Sequence, residues 1–454
     1  MKKLYVSTFS LIIVMLLLAG ACSGSSQEHE NGYAQGMLNT SESPAAMEES
    51  NLPLDQELQP EDEHMPGWQL DLPSLAEIFA PYFLFGNIYS STPRMNEGLT
   101  REAFIHHFNA VTAENWHKID HVAPHGFTRP HPSEYDFTRA DAVVNFAIEN
   151  DLVLIGHTLV WHSQSVDWLY RSAPGVPLTR AEARANMEFH IRTVAEHFAT
   201  QGTIDAFHAW DVVNEAIASG GGTWGARHDD WHGGNWRDQM RESSPWFIAY
   251  ANGYNPDAGE HPSDYVYDAF KFARRYFPNA ILYYNDYNEE IPTKRNAIAQ
   301  MVEQLNEQWA HDIINNPEAV APGQEYTGRL LIEGIGMQSH YHLDQWRTNF
   351  ANVRPALERF AATGARISIT ELDITIGTQA GILPSPLAPE HARRQAEAFV
   401  RLFDYYLEFA DYIDRVTVWG KTDPQSWRYW GQPLLFDENF KAKEAFFAIV
   451  ALVN

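Results

Sequence analysis

Cysteine is nearly absent from this chain of 454 residues, which contains only Cys22. A single cysteine excludes an intrachain disulfide framework and gives no cysteine cluster for zinc. Basic residues are also few, because 32 Lys and Arg stand against 59 Asp and Glu, for a formal net charge of −27. Nucleic acid and anionic lipid repel such a chain, so the composition argues against a function in binding either.

Long apolar runs are missing too. The run from Leu11 to Ala19 follows two lysines and is too short for a comfortable membrane span. It leads into Ala19-Gly20-Ala21-Cys22, which resembles a bacterial lipoprotein signal, although Ala19 stands where an aliphatic residue is usual. The resemblance implies a signal peptide over 1–21 and a lipid on Cys22, which would anchor the protein in the bacterial cell envelope, facing the periplasm or the exterior. An ordinary secretory signal with a chance cysteine is the alternative.

The next segment, 22–65, has the composition of a tether. Between Ser23 and Met65 it contains ten Asp and Glu and no Lys or Arg. Small and polar residues with charge of one sign cannot bury a core, so we predict a disordered acidic linker. The remaining residues, 66–454, are then expected to form one domain.

From about residue 66, short apolar segments alternate with longer amphipathic ones. Apolar runs without period-two alternation are typical of strands buried on both faces. Eight such strands separated by helices indicate an α/β fold, a single (β/α)8 barrel. The predicted strands are Tyr82–Tyr89, Ala110–Asn115, Leu152–Leu159, Ala206–Asn214, Ile281–Asp286, Leu330–Gln338, Arg366–Glu371 and Arg415–Trp419. The predicted helices are Arg139–Glu149, Arg180–Phe198, Ser263–Tyr276, Lys294–Asn306, Val353–Ala362 and Pro389–Phe409.

Most predicted strands end in a polar or aromatic side chain. In such barrels the carboxyl ends of the strands form the active-site face, so we expect these side chains to meet at one mouth. Two of them, Glu215 and Glu371, follow apolar strands directly, and a pair of carboxyl groups is what glycosidic hydrolysis requires. The 14 Trp and 20 Tyr suit a cleft that stacks on flat ligands. The strand-end residues are Glu114, Asn115, His157, Asn214, Glu215, Asn285, Gln338, His340, Glu371 and Trp419.

Seven phrases in this order resemble glycoside hydrolase family 10, the endo-β-1,4-xylanases, from about residue 80 to the C-terminus. They are Phe108 to Asn115 with Lys118, Gly156 to His162, Trp210 to Ala216, Tyr284 to Asn288, Gly336 to His340, Thr370 to Asp373, and Trp419-Gly420 with Asp423 and Trp427. The resemblance implies a retaining hydrolase that cleaves internal bonds of xylan and its oligosaccharides, without a cofactor or metal. A monomer is expected.

The resemblance also implies a role for individual residues. Glu215 corresponds to the general acid/base and Glu371 to the nucleophile, which His340 orients. Asn214 is expected to bind the 2-hydroxyl of the sugar being cleaved. The other expected ligands are Lys118, His157 and Gln338 in the same sugar site; Glu114, Asn115 and Gln164 in or near the next site outward; Trp419 and Trp427 as an aromatic lid; and Trp161, divided between core and cleft.

Two features depart from the family pattern. His117 stands where the family usually has Met, which we expect to alter packing beneath the cleft. The segment Ser219 to Pro262 is long and contains eight Gly and four Trp, the latter either packed in the loop or offered to sugars on the leaving-group side.

Two other functions are kept open. A hydrolase of another β-1,4-glycan, such as β-glucan, is one. A surface glycan-binding protein on an inactive barrel is the other, although both carboxylates are present.

Overall fold

The computed structural model describes residues 72–92, 96–218, 234–315, 328–343, 350–377, 381, 383 and 385–453. Within them, eight parallel strands close into a barrel, because the last strand pairs with both the first and the seventh. The predicted (β/α)8 fold is therefore confirmed. The barrel strands are β1 (Leu84–Tyr89), β2 (Ala110–Ala113), β3 (Val153–Val160), β4 (Phe207–Asn214), β5 (Ile281–Asp286), β6 (Gly334–Met337), β7 (Arg366–Thr375) and β8 (Ile413–Val418).

Each barrel strand is followed by a helix that packs on the outside. The predicted signal peptide, Cys22 and the acidic linker lie outside the described residues. None of the described helices is long and apolar enough to cross a membrane. The helices are α1 (Leu75–Phe79), α2 (Gly98–His107), α3 (Ile119–Val122), α4 (Thr138–Glu149), α5 (Arg180–Gln201), α6 (Pro245–Ala251), α7 (Asp264–Tyr276), α8 (Pro292–Asn315), α9 (Phe350–Ala361), α10 (Pro389–Glu408) and α11 (Glu444–Val450).

Helix α5 shows how local sequence sets element boundaries. The Thr179 hydroxyl accepts a hydrogen bond from the Glu182 backbone N–H, while the Glu182 carboxylate accepts one from the Thr179 N–H at 2.9 Å. This capping box satisfies amide groups that the first turn leaves without partners. The helix ends at Gly202, whose φ of 74° is left-handed and therefore favours glycine.

The barrel interior combines glycine with large side chains. A Cβ on Gly156 of β3 would lie 2.1 Å from the Trp210 ring of β4, and one on Gly334 of β6 would lie 2.1 Å from the Tyr283 ring of β5. Only glycine leaves room for these rings, so the two small residues set how closely neighbouring strands pack.

Two of the predicted strand boundaries were wrong in ways that affect the site. Strand β7 does not end at Glu371 but continues to Thr375, because Asp373 to Thr375 pair with a short additional strand, His340–His342. Strand β6 begins at Gly334 rather than at residue 330. Glu371 therefore projects from within a strand, at a point where the pairing with β8 shifts register between Ile369 and Leu372.

Candidate active site

Glu215 and Glu371 lie at the carboxyl-end mouth of the barrel, where parallel barrels carry their active sites. Glu215 follows the last residue of β4 directly, and its side chain is 12% exposed. Glu371 lies in β7 with a side chain that is 8% exposed. Both carboxyl groups are thus largely shielded from water but open to the mouth.

Two amide side chains link the two carboxyl groups. Gln338 Nε2 donates to Glu215 Oε1 and to Asn214 Oδ1, at 3.1 Å in each case. Asn285 Nδ2 donates to the same Asn214 oxygen at 3.1 Å and to Glu371 Oε1 at 2.8 Å. The chain of hydrogen bonds crosses from β4 through β5 and the end of β6 to β7. It joins the two carboxyl groups in one hydrogen-bonded network.

His340 holds the second oxygen of Glu371. Its Nε2 lies 3.2 Å from Glu371 Oε2, and its Nδ1 lies 2.9 Å from Asp373 Oδ2. Burial alone would lower the pKa of His340, but the two carboxylates raise it to about 9, so the ring is a cation at neutral pH. Asp373 is in turn bound by Arg428 at 2.5 Å and by the Trp427 indole at 3.2 Å.

These contacts determine the charge of Glu371. Burial would raise the pKa of its carboxyl group. The hydrogen bond from His340, together with electrostatic interactions with His157, His340 and Lys118, instead lowers it to about 2. Glu371 is therefore ionised across the physiological range and has the state that a nucleophile needs.

Glu215 has a neutral neighbour. His162 Nε2 lies 3.8 Å from Glu215 Oε2. Burial, and then the nearby Arg241 charge, lower the pKa of His162 to about 3, so its imidazole carries no charge at neutral pH. The two candidate catalytic carboxyl groups consequently face different partners, a neutral imidazole and a cationic one. Such a difference in environment is how paired carboxyl groups acquire separate roles.

A second polar cluster lies beside this pair. Lys118 Nζ donates to Asn115 Oδ1 at 2.8 Å and to Gln164 Oε1 at 2.7 Å. Burial lowers the pKa of Lys118, while Glu371, Glu114 and other carboxylates raise it. Glu114 accepts the Ser91 backbone N–H at 2.7 Å. The four predicted ligands are thus brought together by β2 and the loop after β3.

His157 belongs to a buried network inside the barrel. Its Nδ1 lies 3.0 Å from Asp211 Oδ2, and Arg415 donates to the other Asp211 oxygen at 3.3 Å. The ring of His157 makes an edge contact with Trp419, with centroids 5.5 Å apart. The Asp211 carboxylate thereby fixes the orientation of the imidazole.

Three tryptophans line the site in different ways. Trp427 is 56% exposed, and its ring contacts His340 edge-on at 5.0 Å between centroids. Trp419 is 6% exposed and contacts His157. Trp161 is partly buried, with Lys118 Nζ 5.1 Å from its ring centroid. Exposed aromatic faces beside carboxyl groups suit a sugar ring.

The departures from the family pattern resolve into packing. Trp236 and Trp246, from the long segment after β4, are each 1% exposed, so both pack inside the protein and offer no face to sugars. Trp224 and Trp231 lie outside the described residues. His117 is buried against the rings of Phe207 and Trp210, and burial lowers its pKa to about 3, which makes it a neutral packing residue.

Several residues of the site were not predicted as members of it. Asn285 was included among the polar strand-end residues and His162 and Asp373 within the family-like motifs, but none of the three was assigned a role. Each lies within one or two residues of a predicted ligand or on a neighbouring strand. That proximity was the feature of the sequence that could have identified them. Arg241, whose Nε donates to the Glu215 carbonyl at 3.0 Å, had no such signal.

Among the described residues, no group of three or more His, Cys, Asp or Glu is arranged to hold a metal ion. A parallel barrel with two carboxyl groups at its mouth, set among amide, imidazole and indole groups, has the arrangement of a glycoside hydrolase.

The chain belongs to glycosyl hydrolase family 10, because the model of that family matches residues 74–452. It is 30% identical over 390 residues to endo-1,4-beta-xylanase A of Caldicellulosiruptor saccharolyticus, covering 83% of this chain and 95% of that one. It is 32% identical over 392 residues to endo-1,4-beta-xylanase C of Paenibacillus barcinonensis, covering 84% of this chain. It spans only 32% of the length of that longer relative.

The fold also agrees with a solved xylanase structure. The enzyme from Thermoanaerobacterium saccharolyticum, solved as a variant in complex with xylotriose, superposes with a TM-score of 0.65 at 28% identity. The match covers 84% of this chain and 98% of that one. The similarity therefore spans the whole barrel.

Proposed function

We propose that this protein is a retaining endo-β-1,4-xylanase. The observation that carries the proposal is the pair Glu215 and Glu371, joined through Gln338, Asn214 and Asn285 at the mouth of the barrel. The xylanases among its relatives support xylan as the substrate.

The reaction proceeds in two steps. In the first, the ionised Glu371 attacks the anomeric carbon while Glu215 gives a proton to the departing glycosidic oxygen, leaving a covalent glycosyl-enzyme. In the second, Glu215 takes a proton from water, which attacks the same carbon and releases Glu371. Two inversions retain the configuration. A carboxylate with a pKa of about 2 is also a good leaving group in the second step.

The surrounding residues bind and orient the sugars. Asn214 and Gln338 bind hydroxyl groups of the sugar being cleaved, and the hydrogen bond of 3.1 Å between them, beside Glu215, supports this assignment. Lys118 and His157 complete that sugar site. Glu114, Asn115 and Gln164 serve the next one, and Trp161, Trp419 and Trp427 enclose the two sugars.

Replacement of each carboxyl group tests the proposal. We predict that Glu215→Gln and Glu371→Gln each abolish xylan hydrolysis, since each removes one of two indispensable groups, while the unfolding transition remains cooperative. For an aryl xylobioside with a good leaving group, azide should rescue Glu215→Ala with a retained glycosyl azide and Glu371→Ala with an inverted one.

Glu397→Gln is the matched control, because that carboxylate is 53% exposed on α10 and should leave activity unchanged. More than a tenth of wild-type activity in either catalytic variant would refute the assignment. If the protein hydrolyses cellulose or β-glucan but releases no oligosaccharides from xylan, the alternative substrate is favoured. Tight binding of xylan without any hydrolysis would favour a binding protein.

We also propose that the protein is a lipoprotein of the bacterial cell envelope, anchored through Cys22. The short apolar run after Lys2 and Lys3, and the sole cysteine at its end, support this proposal.

A further inference from the structure

The backbone of Glu215 has an unusual conformation. Its φ is +58°, in the left-handed region that a residue with a Cβ adopts only at a cost of about 1–2 kcal/mol. Such a conformation persists only where neighbouring groups hold it. The direction in which the Glu215 side chain leaves β4 depends on it.

Two groups from β5 hold one side of this turn. The Glu215 N–H donates to the Asn285 carbonyl at 2.9 Å, which continues the barrel pairing by one residue. The N–H of Ile217 donates to the Tyr284 hydroxyl at 3.0 Å. These contacts fix the amide groups of the turn and not the Glu215 carbonyl.

Arg241 holds that carbonyl. The chain returns after the long segment and runs antiparallel to the residues that follow Glu215, with a bridge between Ile217 and Met240. The Arg241 N–H donates to the Ala216 carbonyl at 2.8 Å, and the Arg241 Nε donates to the Glu215 carbonyl at 3.0 Å. One residue thus binds both carbonyl groups of the turn.

The guanidinium also binds the loop after the neighbouring strand. Its Nη2 donates to the Tyr287 hydroxyl at 3.0 Å, just beyond the end of β5. Burial would lower the pKa of Arg241, but Tyr287 and Glu215 raise it above its usual value, so the group stays charged. Arg241 therefore joins the backbone of the candidate acid/base to the loop after β5.

We infer that Arg241 is a positioning residue for proton transfer by Glu215, an inference that rests on the proposed function. It keeps the left-handed turn closed and thereby aims the Glu215 carboxyl group at the glycosidic oxygen. A displacement of about 1 Å is enough to reduce such a transfer greatly. The long segment after β4 thus contributes to the chemistry through Arg241.

Leaving-group dependence tests the inference. Phenyl xylobioside needs a proton on its departing oxygen, whereas 2,4-dinitrophenyl xylobioside does not. We predict that Arg241→Met lowers kcat/KM for the phenyl substrate by about 10–100-fold, within the usual contribution of acid catalysis. For the dinitrophenyl substrate kcat/KM should stay within about three-fold of wild type. Arg241→Lys, which keeps the charge and one donor, should lose less with the same pattern.

Arg237→Met is the matched control. Arg237 comes from the same segment but binds Asp264 at 2.9 Å and Ser263, so its variant should not alter the ratio of the two substrates. An equal fall for both substrates in Arg241→Met, or no fall for either, would overturn the inference. If Arg241→Met has no cooperative unfolding transition, the ratio of kcat/KM for the two substrates in Arg241→Lys tests the inference instead.

Glu215→Ala separates this inference from the proposed function. It should show a larger loss on the phenyl substrate than any Arg241 variant. If Glu215→Ala hydrolyses phenyl xylobioside normally, the proposed function itself fails. If Glu215→Ala shows the loss and the Arg241 variants do not, only the positioning role fails.

Discussion

His340 is the residue whose charge most directly controls the candidate nucleophile. It lies, partly buried, between Glu371 and Asp373, and the two carboxylates raise its pKa to about 9. In return, the hydrogen bond and charge of His340 help to lower the pKa of Glu371 to about 2 against the effect of burial. The ion pair therefore keeps Glu371 ionised well below neutral pH.

This coupling gives a prediction for pH dependence. A carboxyl group with a lowered pKa stays ionised to a lower pH than usual. Wild-type Glu371 therefore becomes protonated only as the pH falls toward about 2. His340→Gln removes the cation, and the pKa of Glu371 should rise. We predict that the acid limb of kcat/KM for 2,4-dinitrophenyl xylobioside, which does not need the acid, moves to higher pH in this variant.

His125→Gln is the control, because His125 is exposed and lies away from the pair. An acid limb that is the same in His340→Gln and in wild type would show that His340 does not set the ionisation of Glu371.

Asn285 shows how a site residue escapes sequence reasoning. Its side chain donates to both Asn214 and Glu371, which lie 71 and 86 residues away in the chain. The sequence shows that a polar residue, Asn285, stands at a strand end. Its hydrogen-bond partners, however, depend on which strands are neighbours in the barrel. That arrangement requires the closed barrel.

At the scale of elements, the contact between β3 and β4 sets the position of Glu215. Gly156 faces Trp210 of β4, and Glu215, five residues after Trp210, follows the last residue of that strand directly. A methyl group at Gly156 would overlap the indole ring at 2.1 Å, so β4 or its ring must move.

We therefore predict that Gly156→Ala lowers the free energy of unfolding by about 1–3 kcal/mol, the usual cost of overpacking. It should also reduce xylan hydrolysis, since β4 carries Glu215. Chemical denaturation and initial rates measure the two effects. Gly381→Ala is the control, because no described atom lies within 4 Å of the added methyl group. Wild-type stability in Gly156→Ala would mean that the ring can move without affecting the barrel.

The roles of the tryptophans in the long segment after β4 could not be assigned from the sequence. Tryptophan suits both a buried core and a sugar platform, so composition alone left the two uses open. Trp236 donates its indole N–H to Gln304 at 2.8 Å, and Trp246 donates its own to the Trp161 carbonyl at 3.0 Å. Both are fully buried, and these polar partners explain why burial is tolerated.

At the scale of the whole molecule, the proposed anchor at Cys22 is tested by where the protein is found in the cell. Cys22 is the only cysteine, so its replacement removes the proposed lipid attachment site and leaves no other cysteine to be lipidated. We predict that Cys22→Ser releases the protein from the membrane fraction or misdirects it, and that globomycin blocks processing of the natural chain. Fractionation and precursor size measure both.

Ser26→Ala is a control that leaves the cysteine in place and should fractionate as the natural chain does. Normal membrane fractionation of Cys22→Ser would argue for a plain signal peptide or another anchor.

The class of fold was determined by the sequence itself, because it is encoded locally. Each apolar run of strand length is separated from the next by an amphipathic helix, and that alternation describes a parallel barrel. Polar residues just after the runs had to meet at one mouth, since parallel strands end on the same side. Glu215, His340 and Trp419 were found on this basis.

Tertiary structure alone decided which groups pair. Asp211 and Arg415 meet across 204 residues, and Arg241 reaches the Glu215 carbonyl only because the chain folds back beside it. The continuation of β7 past Glu371 likewise depends on a short strand that joins it from the end of β6. Contacts between distant residues carry no local pattern, so charge, backbone conformation and orientation at the site follow from the closed barrel.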